Sequence, residues 1–221
     1  MTRTAFDHQL EEIQEEMLLM AAMVATAVER GIEALKNRDV ALARQIIADD
    51  LEINRKRYHA EERCLELIAT QQPLASDLRT IVSVLHITVD LERMGDHAEG
   101  IAKIALMLAD EPPLKPYIDI PRMAETATRM LMSSLEAFKH RDANLAREIC
   151  GWDDEVDALY DQLYRELLTY MIDDPKSIQR ATWLLWVAHN LERIADRVTN
   201  ICERVVYLVE GRIEELNVSK Y

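Results

Sequence analysis

Two pairs of carboxylates stand four residues apart in this chain, Glu92 with Asp96 and Glu192 with Asp196. On a helix that spacing puts both groups of a pair on one face, one turn apart. Like charges so placed disfavour the helix slightly, so the sequence accepts a small cost there. A second set lies upstream, Asp50 with Asn54 and Asp153 with Asp157. If each set belongs to an antiparallel helical hairpin, residues at one level have indices that add to a constant. Asp50–Asp96 and Asn54–Glu92 share one such total, which centres the turn on Pro73. Asp153–Asp196 and Asp157–Glu192 share another, centred between Asp174 and Pro175. Both centres fall on proline breaks, so each hairpin brings four acidic or amide groups level. Whether they face one another depends on helix rotation, which spacing does not fix.

Four such groups concentrate negative charge that a cation would balance. All-oxygen donors suit magnesium, calcium, manganese or iron, and zinc only secondarily. The competing reading is a solvated acidic stripe neutralised by the adjacent Arg93 and Arg193. Of the two sets the second is the better site, because Asp157 carries a charge where Asn54 is neutral. Asp77, within Ala75-Ser-Asp-Leu-Arg79, is either a further ligand or a first-turn acid complementing the helix dipole; physics favours the dipole.

Other chemistries find less support. His86, Asp90, Arg93 and His97 form a polar stripe, but the second half carries Trp186, Asn190, Arg193 and Arg197 there, so the stripe reads as a solvated face. No Glu precedes a His by three residues, which removes a ferritin-like di-iron bundle. There is no phosphate-cradling glycine loop, no G-x-S-x-G, and no Ser or Cys with a base at motif spacing. No catalytic residue is assigned.

The elements that must position the carboxylates are long helices. In 221 residues there are only 5 Gly and 6 Pro, which argues against a many-stranded fold. Apolar residues recur at steps of three and four, as in Ile81, Val84, Thr88, Leu91, Met94, Ala98, Ile101, Ala105 and Leu108. Breaks near Asn37–Asp39, Pro73, Glu111–Pro116, His140–Asp142 and Asp173–Pro175 predict six helices, 6–36, 39–70, 75–109, 120–140, 143–172 and 176–212. Ser76 and Ser177 are candidate caps. Met17, Met20 and Met23 share a helical face and are expected in the core.

The break after Glu111 divides the helices into two groups of three that look like copies. Ala34-Leu-Lys-Asn-Arg-Asp-Val-Ala-Leu-Ala-Arg44 aligns with Ala137-Phe-Lys-His-Arg-Asp-Ala-Asn-Leu-Ala-Arg147 at an offset of 103. Leu91-Glu-Arg-Met-Gly-Asp96 aligns with Leu191-Glu-Arg-Ile-Ala-Asp196 at an offset of 100. The expected fold is all-α, two tandem pseudo-symmetric three-helix bundles over 1–111 and 117–215.

Acidic residues outnumber basic ones, 40 to 26, for a net charge of −14. That field repels nucleic acid and anionic lipid and attracts cations and basic protein surfaces. Cys64, Cys150 and Cys202 are widely spread, with no C-x-x-C pair, as expected in a reducing compartment. The longest largely apolar run, Met17 to Val28, is 12 residues, too short to span a bilayer. The expectation is a soluble cytoplasmic protein.

The repeated Leu-Glu-Arg-x-x-Asp, together with Gln72-Pro-Leu-Ala-Ser-Asp-Leu-Arg79, resembles the PhoU family of phosphate-uptake regulators over essentially the whole chain. The resemblance implies a cytoplasmic, often dimeric helical adaptor that represses the phosphate-starvation response when phosphate is plentiful. It implies as partners the ATPase of a phosphate ABC transporter and a phosphate-sensing histidine kinase, with the membrane reached only through them. It also implies divalent or multinuclear metal (iron, zinc, manganese or magnesium) on Glu92, Asp96, Glu192 and Asp196 with Asp50, Asp153 and Asp157. Asn54 stands where the family carries an acid and Ala195 where it carries Gly; Asp77 lies in a segment typical of the family. Two other classes stay open: a metal-dependent hydrolase or redox enzyme on the same carboxylates, and a purely structural helical scaffold.

Overall fold

The computed structural model describes residues 3–216. The elements are α1 (Arg3–Asn37), α2 (Val40–Gln71), α3 (Ala75–Leu108), α4 (Asp119–His140), α5 (Ala143–Cys150), α6 (Asp153–Asp173) and α7 (Ile178–Glu210), with a 3₁₀ turn at Pro175–Ser177. Among the described residues there is no strand. Met1 and Thr2, where the first predicted unit begins, lie outside the described residues.

The helix expected over 143–172 is two helices. Its apolar periodicity, through buried Ala146, Ile149 and Val156, crosses the break without changing register, so periodicity could not reveal it. The break is at Gly151–Trp152. There the amide of Gly151 donates to Glu148 O and that of Trp152 to Ile149 O, both at 3.0 Å. These three-residue bonds tighten the backbone and end α5. Asp153 thereby becomes the first residue of α6 instead of an interior one.

The capping residues also differ from expectation. Ser76 sits inside the first turn of α3. Ser177 makes no side-chain cap bond to α7; its hydroxyl donates to Tyr170 O at 2.8 Å. The caps are Asp39, which accepts from Leu42 N at 2.9 Å, and Asp142, which accepts from Asn144 N and Leu145 N at 3.0 Å. Each follows an arginine in the left-handed region, Arg38 at φ 53° and Arg141 at φ 52°. The amides of Asp39 and Asp142 then reach back to Ala34 O and Ala137 O. One helix stop and one helix start are thus built identically in both halves, 103 residues apart.

α3 packs against α1 and α2, α7 packs against α4, α5 and α6, and α3 and α7 pack against each other. α1 also meets α4, and a single apolar core runs through both halves. Met17 and Met20 are buried in it. Lys115, itself buried, ties the connector to Asp119 at 3.7 Å and bonds Glu166.

Along the α3–α7 seam Arg197 donates to Asp90 at 2.9 Å, and His97 Nδ1 lies 2.9 Å from Asn190 Oδ1. Asn200 adds a second bond to Asp90 at 3.2 Å, and Ser83 donates to Arg204 O at 3.3 Å. As the α3 number rises the α7 number falls, so the two helices are antiparallel. Under the 100-residue offset Asp90 corresponds to Asn190 and His97 to Arg197, so the two main pairs exchange under one pseudo-twofold. Asp90 and His97, of the polar stripe expected to be solvated, therefore lie in the joint between the halves, while His86 and Arg93 are exposed. Helix periodicity marks a polar face but not what covers it.

Arg197→Ala removes a charged donor from the buried Asp90. It should cost about 2 kcal/mol in urea unfolding, whereas Arg93→Ala, on an exposed side chain, should stay within about 0.5 kcal/mol of wild type.

Candidate functional site

The two hairpins place both carboxylate sets where the index totals put them. In the first, Asp50 of α2 is buried against Gly95 of α3. A Cβ at Gly95 would lie 3.1 Å from Asp50 Oδ1 and 3.2 Å from Ile53, so the glycine lets the helices close at this level. Asn54 donates to Asp50 Oδ2 at 2.9 Å, while Oδ1 is shielded and has no hydrogen-bond partner. Burial first, then the charges of Glu99, Asp96 and Glu92, push the Asp50 carboxyl up to about 6 against the opposing Asn54 bond. Arg93, at the outer edge, lies 3.6 Å from Glu92 and 3.4 Å from Asp96.

In the second hairpin the same logic brings Asp153, Asp157, Glu192 and Asp196 together. Burial, then Asp196, Asp157 and Asp153, push the Glu192 carboxyl up to about 7, with Arg193 opposing. Glu192 Oε2 is shielded and lacks a hydrogen bond; His189 Nδ1 approaches to 3.3 Å without the alignment of one. Burial also depresses His189, so that ring is a weak counter-charge. Arg193 pairs with Asp196 at 2.7 Å. Arginine neutralisation, the competing reading, is therefore real at Asp196, and Arg193 also opposes the rise at Glu192.

The second cluster opens into a groove of 810 Å³ whose walls add Asp154, Asp161, Glu203, Glu214 and Glu215. The segment after α7 closes one side, held by Leu216 N on Glu203 at 3.0 Å and by Arg147 on Glu210 and Glu214. The first cluster adjoins a smaller hollow of 410 Å³ with apolar walls of Leu19, Met23, Ile46 and Ile53.

Asp77 joins neither cluster. It lies fifteen residues before Glu92 on α3, about 22 Å along the axis. Arg3 donates to both its oxygens, at 2.6 and 3.0 Å, and Leu74 N donates at 3.1 Å. Chiefly through Arg3, its carboxyl is held below the usual range. The first-turn role is the one it fills.

As donor sets, both clusters fit a hard cation: they are oxygen-rich, and each holds a shielded carboxylate oxygen without a hydrogen bond. Among the described residues no three His, Cys, Asp or Glu side chains converge closely enough to hold an ion as they stand. An ion would have to draw them in from these positions.

Glu99 and Glu203 were not singled out from sequence. Each continues the face of its carboxylate pair, seven residues beyond Glu92 and Asp196 respectively. The repeat hid them, because Thr199 stands opposite Glu99 in the other copy and Lys103 opposite Glu203.

Fold and site together define a class: an all-helical protein made of one helical unit used twice, with carboxylates on paired helices in each copy. The PhoU domain model matches this chain at residues 17–105 and again at 120–205. The chain is 45% identical over 205 residues to the phosphate-specific transport system accessory protein PhoU homolog of Aquifex aeolicus, covering 93% of both chains. It is 39% identical over 218 residues to the homolog from Clostridium acetobutylicum, covering 98% of this chain and all of that one. The crystal structure of PhoU from Pseudomonas aeruginosa superposes with a TM-score of 0.89 at 36% identity, over 94% of this chain and 100% of that one. The phosphate transport system regulatory protein PhoU from Streptococcus pneumoniae gives the same score and identity over 95% and 99%. The chain belongs to the PhoU family.

The raised Glu192 carboxyl fixes a sign. Between the unfolded glutamate pKa, near 4.5, and about 7 the folded state binds the extra proton, so apo-protein stability falls as pH rises through that window. The groups facing Glu192 are Asp153 and Asp157 of α6, Tyr160 beyond them, and His189, Arg193 and Asp196 of α7. In EDTA, Glu192→Gln should be more stable than wild type at pH 7.5, with the advantage shrinking toward pH 4.5. Urea unfolding at the two pH values reads it; a pH-independent difference would contradict it.

Proposed function

We propose that this chain is a non-catalytic cytoplasmic regulator of phosphate uptake. It acts as an adaptor between the ATPase of a phosphate ABC transporter and a phosphate-sensing histidine kinase, and holds the starvation response off when phosphate is plentiful. The observation that carries this reading is the family match, which covers both repeats and nearly all of the chain. Membership in a family of accessory proteins also speaks for a role without catalysis. The enzyme alternative has no comparable support. Among the described residues no helix is long and apolar enough to cross a membrane. The homodimer and the named partners rest on the family resemblance, and the repeat boundaries at 1–111 and 117–215 on the break after Glu111 and the offsets between the two halves.

Deleting the gene should leave phosphate-starvation genes expressed in high phosphate while the transporter still imports. Normal shut-off in the deletion strain would end the regulator reading.

The proposal includes a divalent or multinuclear ion at Asp153, Asp157, Glu192 and Asp196, and more weakly at Asp50, Asn54, Glu92 and Asp96. Such an ion binds only the folded chain and stabilises it by about 2.7 kcal/mol at a hundredfold excess over Kd. Asp196→Ala relieves repulsion in the apo protein and weakens the site. It should therefore unfold at or above the wild-type temperature in EDTA and below it in Mn²⁺, Fe²⁺, Zn²⁺ or Mg²⁺. Asp96→Ala should show the same crossover with smaller amplitude, because Asn54 leaves that cluster one charge poorer. If no metal shifts wild type more than Asp196→Ala, the arginines alone balance the acids.

A further inference from the structure

Past the carboxylates, toward the turn at Asp174, the α6–α7 seam changes character. The faces that carry Asp157 and Glu192 continue as Tyr160 and Tyr164 on α6 and as His189 and Leu185 on α7. The Tyr160 and His189 rings lie 6.3 Å apart, and Trp186 meets His189 edge-on at 5.7 Å. With Leu185 these three line a hollow of 290 Å³. Trp186 is 52% exposed and Tyr164 41%. Nearer the turn, Ile172 and Ile178 are exposed as well.

The fold does not require this. In the first repeat the matching positions are Arg57 for Tyr160, Glu61 for Tyr164 and His86 for Trp186, and Arg57 pairs with Glu61 at 3.2 Å. The first copy places charge at these positions and leaves Tyr58 exposed beneath Arg57, whereas the second gathers several aromatic rings around a hollow in water, at a cost that burial would recover. The aromatic hollow adjoins the acidic groove: Asp157, Asp161 and Glu192 sit within about two turns of it on the same two helices. Acid beside an apolar hollow repels anionic lipid and nucleic acid, and it selects a partner that offers an apolar anchor followed within two turns by positive charge. A helix with those features meets both requirements from one face.

We propose that the α6–α7 face docks a basic amphipathic helix of a protein partner. An apolar side chain enters the Tyr160–Leu185–Trp186–His189 hollow, and Lys or Arg lies over Asp157, Asp161 and Glu192. This rests on the regulator reading, for which it supplies the contact surface.

The probe is a fluorescein-labelled 16-residue helical peptide with Leu and Phe on one face and Lys flanking them, beside its Glu-for-Lys counterpart. Anisotropy titration of the full chain in EDTA should show saturable binding of the Lys peptide and none of the Glu peptide. Trp186→Ala and Asp161→Asn should each weaken binding about tenfold, and His86→Ala in the first repeat should leave it unchanged. If Trp186→Ala binds the Lys peptide as wild type does, the attraction is charge alone and the docking face is wrong. If sedimentation shows a dimer that Trp186→Ala converts to monomer, a second copy covers the face and the proposal falls. In cells, a Tyr164→Ser/Trp186→Ala chain that unfolds at the wild-type temperature should derepress the starvation genes. Normal repression by that variant, alongside derepression in the deletion strain, overturns the docking face and leaves the regulator reading intact. Normal repression in the deletion strain fells the regulator reading, and the peptide titration still decides the face.

Discussion

The antiparallel contact between α3 and α7 governs what the other elements can do. Both helices are buried along most of their length, and both carry a carboxylate pair. Because each presses one face on its partner and another on its own bundle, the acids are confined to the remaining edge, where α2 or α6 closes against them. The polar contacts on the seam, Asp90 with Arg197 and His97 with Asn190, fix the register at which the halves meet. A slip by one turn would leave Asp90 buried without its arginine, a large penalty compared with the marginal stability of a domain. The register of the joint and the placement of the two clusters are thus one constraint.

That confinement explains the electrostatics. A carboxylate on a solvated helix would be screened; here Asp50 and Glu192 are shielded among other acids, and burial leads the causes that raise both carboxyls. Arg93 and Arg193 stand at the outer edges and reach Asp96 and Asp196 better than the inner groups. Charge so arranged favours uptake of a proton by Asp50 and Glu192 well above the usual carboxylate range.

Much of this was legible in the sequence because helix geometry is linear. Spacing four puts Glu192 and Asp196 on one face, and equal index totals put Asp157 and Asp153 level with them. The proline breaks supplied the centres independently. What was not legible required knowledge of what covers a face. The stripe through Asp90 and His97 reads as solvated until α7 is laid on it. The Gly151–Trp152 break leaves apolar periodicity untouched, and the capping aspartates look like ordinary surface acids. Asp77 could be weighed only between two roles, since the arginine that engages it lies 74 residues away.

The repeat is also where the two halves have parted, and the differences fall on one side of the frame. Residues facing the shared core keep their type, as in Leu91 and Leu191 or Ala34 and Ala137. Around the carboxylates they diverge. Gly95 corresponds to Ala195, Asn54 to Asp157, and the charged Arg57–Glu61 pair to Tyr160 and Tyr164. An unbroken α2 also corresponds to α5 and α6, whose interruption puts Asp153 at a helix start. A helix N-terminus favours a carboxylate, through the partial positive charge of its free amides, in a way that the interior position of Asp50 does not. The second copy can therefore keep four full acids together where the first has three and an amide. One packing frame supports two surfaces: a wet acidic groove with an aromatic flank, and a narrower apolar hollow above a single buried acid.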